Sequence, residues 1–141
     1  MNEEVERLVA AGELADAARM LGRPFEVEGV VVEGEHRGKL LGFPTANLDL
    51  APGQLLPPKG VYVGAALGHR AAISIGVNPH YGGTTLSVEA HLLDFDGDLY
   101  GQRLTVELWE WLRDERAFGS EAELVAAIAA DVEVARQAVR P

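Results

Sequence analysis

The chain contains no cysteine, which excludes a disulfide framework, a thiolate metal site and a cysteine nucleophile together. It also lacks an apolar run approaching the roughly 18 residues that span a bilayer. Its first residues, Met1-Asn2-Glu3-Glu4, are acidic where a secretory signal is basic, so a cytoplasmic location is expected. Basic side chains are scarce: 12 Lys and Arg against 22 Asp and Glu give a net charge of -10, which repels nucleic acid unless a local basic patch intervenes. Neither a nucleic-acid nor a membrane partner is expected. There is no internal repeat and no low-complexity tract, and 141 residues suffice for one cored domain but not for two substantial ones.

What is present is a change of period along the chain. Val5, Leu8 and Val9, then Leu14, Ala17, Ala18 and Leu21, recur at helical spacing, with Gly12 between them and Gly22 as a stop, predicting two short helices. From Phe25 to Glu33 the pattern becomes β-branched and alternating, and strand signals return over 60–67, 71–77, 86–95 and 103–112. Pro52-Gly53 and Pro57-Pro58 mark a long connection, while Gly68-His69 and Asp96-Gly97 read as tight hairpin turns. Ser120 followed by Glu123 forms a capping box, and Leu124, Ile128, Val132, Ala135 and Val139 make an apolar stripe for which Trp109 and Trp111 are the expected partners. Short strands followed by one helix argue a mainly β fold, an antiparallel barrel with a C-terminal helix packed outside.

The most informative stretch is Leu41-Gly42-Phe43-Pro44-Thr45-Ala46-Asn47. Pro44 fixes its own φ and biases Phe43 toward an extended backbone, so Thr45 and Asn47 project from the same side. A hydroxyl and an amide oxygen are hard donors of the kind Mg²⁺ accepts alongside phosphates and water. The same residues read equally well as a turn satisfying its own backbone. Upstream, Gly34-Glu35-His36-Arg37-Gly38-Lys39 supplies the local positive charge that a phosphate ligand needs against an acidic chain. It is not a P-loop, because three residues rather than four separate Gly34 from Gly38, Leu40 replaces Ser or Thr, and no helix signal follows. Its glycines still expose backbone N–H groups to phosphate oxygens.

Downstream, Glu89 lies in Ser87-Val88-Glu89-Ala90-His91-Leu92-Leu93, with Val88, Ala90 and Leu92 on one face and Glu89 and His91 on the other. At a barrel mouth, partial desolvation would make this carboxylate a better proton acceptor for an alcohol. Taken alone, it reads more readily as a solvated outward-facing residue. Phosphate donors and a candidate base together suggest phosphoryl transfer. Asp94-Phe95-Asp96-Gly97-Asp98 fails as a calcium loop, because its glycine comes too early and Thr105 occupies the position of the bidentate glutamate. The four histidines are scattered, and no dedicated transition-metal site is expected.

Gly34, Gly38, residues 41–47, Gly60-Val61-Tyr62, Ile75-Gly76-Val77-Asn78-Pro79, Val88-Glu89-Ala90-His91, Tyr100-Gly101 and Leu112-Arg113 together resemble, in order and spacing, the ATP-dependent riboflavin kinase family. The stretch from Gly12 to Pro24 looks like the entry into this module in bifunctional bacterial FAD synthetases. The resemblance implies a six-stranded Greek-key barrel, a helical segment over 1–22 and a kinase domain over 23–141. It implies transfer of the γ-phosphate of ATP to the 5'-hydroxyl of riboflavin, giving FMN and ADP, with Mg²⁺ as cofactor. Glu89 would be the catalytic base; Gly34, Gly38, Lys39, Gly42, Thr45, Asn47 and Tyr100 would bind nucleotide, with Thr45 and Asn47 also on the metal. Leu112, Arg113 and Phe118 would line the flavin side. Lys39 stands where the family has arginine, which would turn a bidentate phosphate contact into a point charge. No H-x-G-H signature occurs, so FAD formation is not expected, and an adenylyltransferase would act downstream. The alternatives are a non-catalytic flavin-binding or regulatory module, and the excised kinase half of a bifunctional FAD synthetase.

Overall fold

The computed structural model describes residues 2–32, 44–77 and 86–141. Helix α1 (Glu3–Ala10) starts at Asn2, whose side-chain oxygen accepts the Val5 N–H at 2.8 Å, and three glutamates in its first turn oppose the positive end of the helix dipole. Helix α2 (Leu14–Leu21) ends at Gly22, whose N–H bonds the Ala18 carbonyl at 2.9 Å. Six strands follow, β1 (Phe25–Val32), β2 (Ala46–Leu50), β3 (Gly60–Ala66), β4 (His69–Val77), β5 (Leu86–Leu92) and β6 (Arg103–Arg113), and then helix α3 (Glu121–Gln137).

The strands close into an antiparallel barrel in the order β1-β2-β5-β4-β3-β6. Within it, β6-β3-β4-β5 is a Greek key, the last strand returning beside the first of three consecutive ones. Alternation assigns the interior: Phe25 and Val27, Ala46 and Leu48, Ile73 and Ile75, Val88 and Ala90, Val106 and Leu108 are all buried. Val5, Leu8, Val9, Leu14 and Ala17 of the two N-terminal helices belong to the same apolar cluster as the barrel residues. They bury the stripe that neither eight-residue helix could hide alone. The β3–β6 ladder shifts register between Val63 and Gly64. A Cβ on Gly64 would lie 1.8 Å from the Glu107 carbonyl oxygen, so this approach of two backbones requires glycine.

Three sequence expectations are corrected. Asp96-Gly97 is not a hairpin turn: β5 pairs with β2 and β4, β6 with β1 and β3, and residues 93–102 cross between non-neighbouring strands. The β3–β4 turn falls at Leu67-Gly68, both at positive φ, rather than at Gly68-His69, which lets His69 start β4. In the stripe of α3, Leu124, Ile128 and Val132 are half-buried and Ala135 is buried as expected, but Val139 lies outside the helix and is 83% exposed, and Ala127 and Asp131 are buried beside the stripe. Its apolar partners are Val63, Leu93 and Leu112, whereas Trp111 packs edge-on against Tyr62, ring centroids 5.4 Å apart.

The burial of Asp131 beside that stripe is matched by an ion pair. Arg113 at the end of β6 grips Asp131 with two bonds of 2.9 and 2.8 Å. Further ties are Arg136 to Asp94 at 2.8 Å and Arg70 to the Ala138 carbonyl at 2.8 Å. Beyond the helix, Arg140 holds Glu107 through two bonds of 3.1 Å, and the Trp109 indole N–H donates to the same carboxylate at 2.8 Å.

The Arg140 guanidinium, with help from the Trp109 N–H, holds the Glu107 carboxyl below its ordinary value near 4.5. A depressed folded-state pKa adds stability that is present above the unfolded value and lost as pH falls through the folded one. Glu107→Gln is therefore expected to cost about 1 kcal/mol at neutral pH, discounted because Arg140 is solvent-exposed, with the difference closing below the ordinary carboxylate range. Thermal melts of both proteins at pH 7 and at pH 3 would check this; a gap that persists at acid pH would reject it.

Candidate functional site

The outer wall of the barrel, not its mouth, carries Glu89. Val88 and Ala90 on either side are fully buried in the interior, so the half-buried Glu89 faces outward from the middle of β5. That placement is the outward-facing one of the two readings of the strand, and alternation imposes it. In the β2–β5 ladder Glu89 is the direct partner of Asn47, and in the β4–β5 ladder of Ser74. Side chains opposite one another across an antiparallel pair lie about 4.5–5.5 Å apart at Cβ. Asn47 is half-buried, and Thr45, two residues earlier, is exposed. Between them Ala46, 8% exposed, points inward, so both polar residues flank the outer surface. Asn47 and Glu89 are thus neighbours across the ladder, with Thr45 two residues before Asn47 along the chain.

The register extends this row around the barrel. Asn47 also pairs with Val32 of β1, Ser74 pairs with Val61 of β3, and Val61 with Arg113 of β6. Val32, Asn47, Glu89, Ser74, Val61 and Arg113 therefore form one line across six strands. With neighbouring strands about 4.8 Å apart, Arg113 lies roughly 14 Å along the wall from Glu89 and Asn47 one step beyond it. The expected flavin-side residue and the expected phosphate-side residues sit on opposite flanks of the carboxylate.

The remaining expected residues among those described have definite places. Tyr100 is 59% exposed in the β5–β6 connection. There the Gly101 N–H donates to the Val31 carbonyl and the Val31 N–H to the Gln102 carbonyl, both at 2.8 Å. It stands beside the end of β1 whose Val32 adjoins Asn47. Leu112 packs under α3. Arg113 is committed to Asp131, whose carboxylate keeps the guanidinium more firmly protonated than usual, and also lies 5.8 Å from the centre of the Phe118 ring. Arg116 approaches the same ring at 5.1 Å. Gly34, Gly38, Lys39 and Gly42 lie outside the described residues.

Two groups escaped the sequence reading. Ser74 donates its hydroxyl to Glu115 at 2.7 Å. The Glu115 carboxylate lies so close over Gly76 that a Cβ there would stand 2.4 Å from it. Residues 114–118 thus fold back from Arg113 across the outer wall to the strand beside Glu89. Gly76 was visible as part of a motif, but nothing in the spacing of Glu115 links it to β4. Along β2 and β5 the same wall continues past Asp49 and Ser87 into a cavity of about 600 Å³, lined also by Leu50, Gln54, Leu56 and Leu86.

Among the described residues no group of three His, Cys, Asp or Glu side chains is placed to hold a metal. The oxygens of Thr45 and Asn47 are donors suited to a hard ion that completes its shell with phosphate and water, as Mg²⁺ does.

A family model described as riboflavin kinase (flavokinase) matches residues 21–139. The Escherichia coli K12 bifunctional riboflavin kinase/FMN adenylyltransferase is 41% identical over 138 residues, 94% of this chain and 44% of that protein. Its Pseudomonas fluorescens counterpart is 40% identical over 143 residues, 98% of this chain and 46% of that one. The chain therefore spans less than half the length of these bacterial relatives. Among solved structures, a Streptococcus pneumoniae protein described as a macrolide-efflux protein has a TM-score of 0.90 at 33% identity, over 99% of this chain and 47% of that one. Among the described residues of this chain, no helix is long and apolar enough to cross a membrane. The riboflavin kinase of Trypanosoma brucei has a TM-score of 0.63 at 29% identity, over 81% of this chain and 78% of that one. Matched by that family model over residues 21–139, this chain belongs to the riboflavin kinase (flavokinase) family.

Proposed function

We propose that this chain is an ATP-dependent riboflavin kinase that moves the γ-phosphoryl group of ATP to the 5'-hydroxyl of riboflavin. The observation that carries the proposal is the direct cross-strand pairing of Asn47 with Glu89, with Thr45 on the same outer surface. In this reading the kinase domain covers 23–141, and the 1–22 helical segment closes one side of its core.

The Glu89 carboxylate takes the proton of the 5'-hydroxyl as the alcohol oxygen forms its bond to the γ-phosphorus. The bond from that phosphorus to the β,γ-bridging oxygen breaks, and its electron pair leaves with ADP. Thr45 and Asn47 would hold the phosphates and Mg²⁺, which would supply charge neutralisation for the transferred group. Residues 34–42 contribute backbone N–H groups and the Lys39 cation to the same phosphates, and Tyr100 lies on the adenine side. Leu112, Arg113 and Phe118 bound the flavin side, with Arg113 acting through its hold on α3. Little covalent chemistry falls to the protein, so most of the acceleration comes from alignment and charge neutralisation.

Incubation with riboflavin and Mg·ATP is expected to yield FMN and ADP in equal amounts, resolved by chromatography. Chelation of the divalent ion is expected to stop the reaction and readdition to restore it. A folded protein that forms no FMN under these conditions would overturn the assignment. The relatives carry a second, adenylyltransferase activity by name; an enzyme of that class acting on FMN is the partner this product calls for.

A further inference from the structure

Pro44 lacks the N–H with which a strand residue would continue the ladder, and Ala46–Ala90 is the last pair of the β2–β5 register at that end. Thr45 therefore lies just where backbone pairing gives out. A side chain takes over there. The Nδ1 of His91 lies 2.7 Å from the Pro44 carbonyl oxygen, across 47 residues of sequence. A carbonyl oxygen only accepts, so His91 Nδ1 carries a proton, and in the neutral ring Nε2 is the acceptor. Thr45 is then held from both sides, by the imidazole at residue 44 and by the ladder from Ala46 onward. His91 sits two residues after Glu89 on the same outward face of β5. One strand thus fixes both the proposed base and the proposed metal and phosphate donor.

We infer that His91 is a positioning residue for phosphoryl transfer, setting Thr45 relative to Glu89 through its bond to Pro44. The inference rests on the kinase reading for its catalytic consequence and on the structure alone for the contact. His91→Ala loses the donor; His91→Asn keeps an N–H close to the place of Nδ1; His91→Phe keeps the bulk without the donor.

The Ala and Phe variants are expected to raise KM for Mg·ATP about tenfold while KM for riboflavin stays within about twofold, and the Asn variant to recover most of the loss. Backbone hydrogen exchange over 45–48 is expected to quicken in Ala and Phe but not in Asn. Equal rises in both KM values, or an Asn variant as impaired as Ala, would overturn the inference, as would unchanged kinetics and exchange in His91→Ala. Absence of FMN formation in the unsubstituted protein would defeat the kinase reading instead. In that case the exchange measurement still decides whether His91 fixes residue 45: quickened exchange in Ala and Phe supports the contact, and unchanged exchange rejects it.

Discussion

Replacing Glu89 by glutamine is expected to lower FMN formation by about 10²- to 10⁴-fold, the usual worth of a positioned general base. Glutamine keeps the length and one oxygen of the side chain, so the half-buried position between Asn47 and Ser74 is filled as before. It cannot accept the alcohol proton. Because alignment and charge neutralisation supply the rest of the acceleration, a residual rate above the uncatalysed one should survive. Riboflavin binding, followed by quenching of flavin fluorescence, should change little. A variant that turns over within about threefold of the unsubstituted chain would mean that the proton leaves by another route. One that loses flavin affinity along with activity would show that Glu89 binds rather than reacts.

The largest loss of stability is expected at Asp131. This carboxylate is only 6% exposed and takes both bonds of a bidentate pair with Arg113, whose guanidinium donates a third to the Asp114 carbonyl at 3.0 Å. Asp131→Ala leaves the Arg113 cation without its partner. Breaking a fully buried pair costs about 3–5 kcal/mol, and the partial exposure of Arg113 places this case near 2–3 kcal/mol. For a chain of this size that lowers Tm by about 6–10 °C. Combining Arg113→Met with Asp131→Leu should recover much of the loss, since two apolar side chains remove both desolvation costs. Melting curves of the single and double variants decide it. A single variant within about 2 °C of the parent would show that the pair holds little.

Much of the barrel was legible in the sequence because buried residues alternate with less buried ones along β1, most of β4 and β5. The strand that was not singled out, β2, is five residues long, contains Asn47 and Asp49, and lies between Pro44 and Pro52. Its polar residues face outward, and residues that read as turn formers in isolation are ladder residues once β1 and β5 flank them. Asp96-Gly97 misled for the complementary reason. A dipeptide reports local turn chemistry, whereas which strands become neighbours is decided by closure of the whole barrel. Helix α3 was found from its Ser120 cap, whose hydroxyl accepts the Glu123 N–H at 3.2 Å. The burial of Asp131 was not, because a charged residue reads as solvent-facing and only its partner on β6 reveals why it is covered. In the candidate site, Thr45, Asn47 and Glu89 were identifiable by type and order. Glu115 was not, since it reaches Ser74 only by the path of residues 114–118 over the wall.

Strand β5 divides its duties by parity. Even-numbered positions from 88 to 92 build the apolar interior, while odd-numbered ones hold Ser87, Glu89 and His91 outside. A single-residue insertion or deletion there would exchange the two sets, driving an ionised carboxylate inward and turning valine and alanine out. Frame errors in this segment would thus abolish assembly and chemistry in one stroke, whereas point changes at odd positions should leave the framework standing.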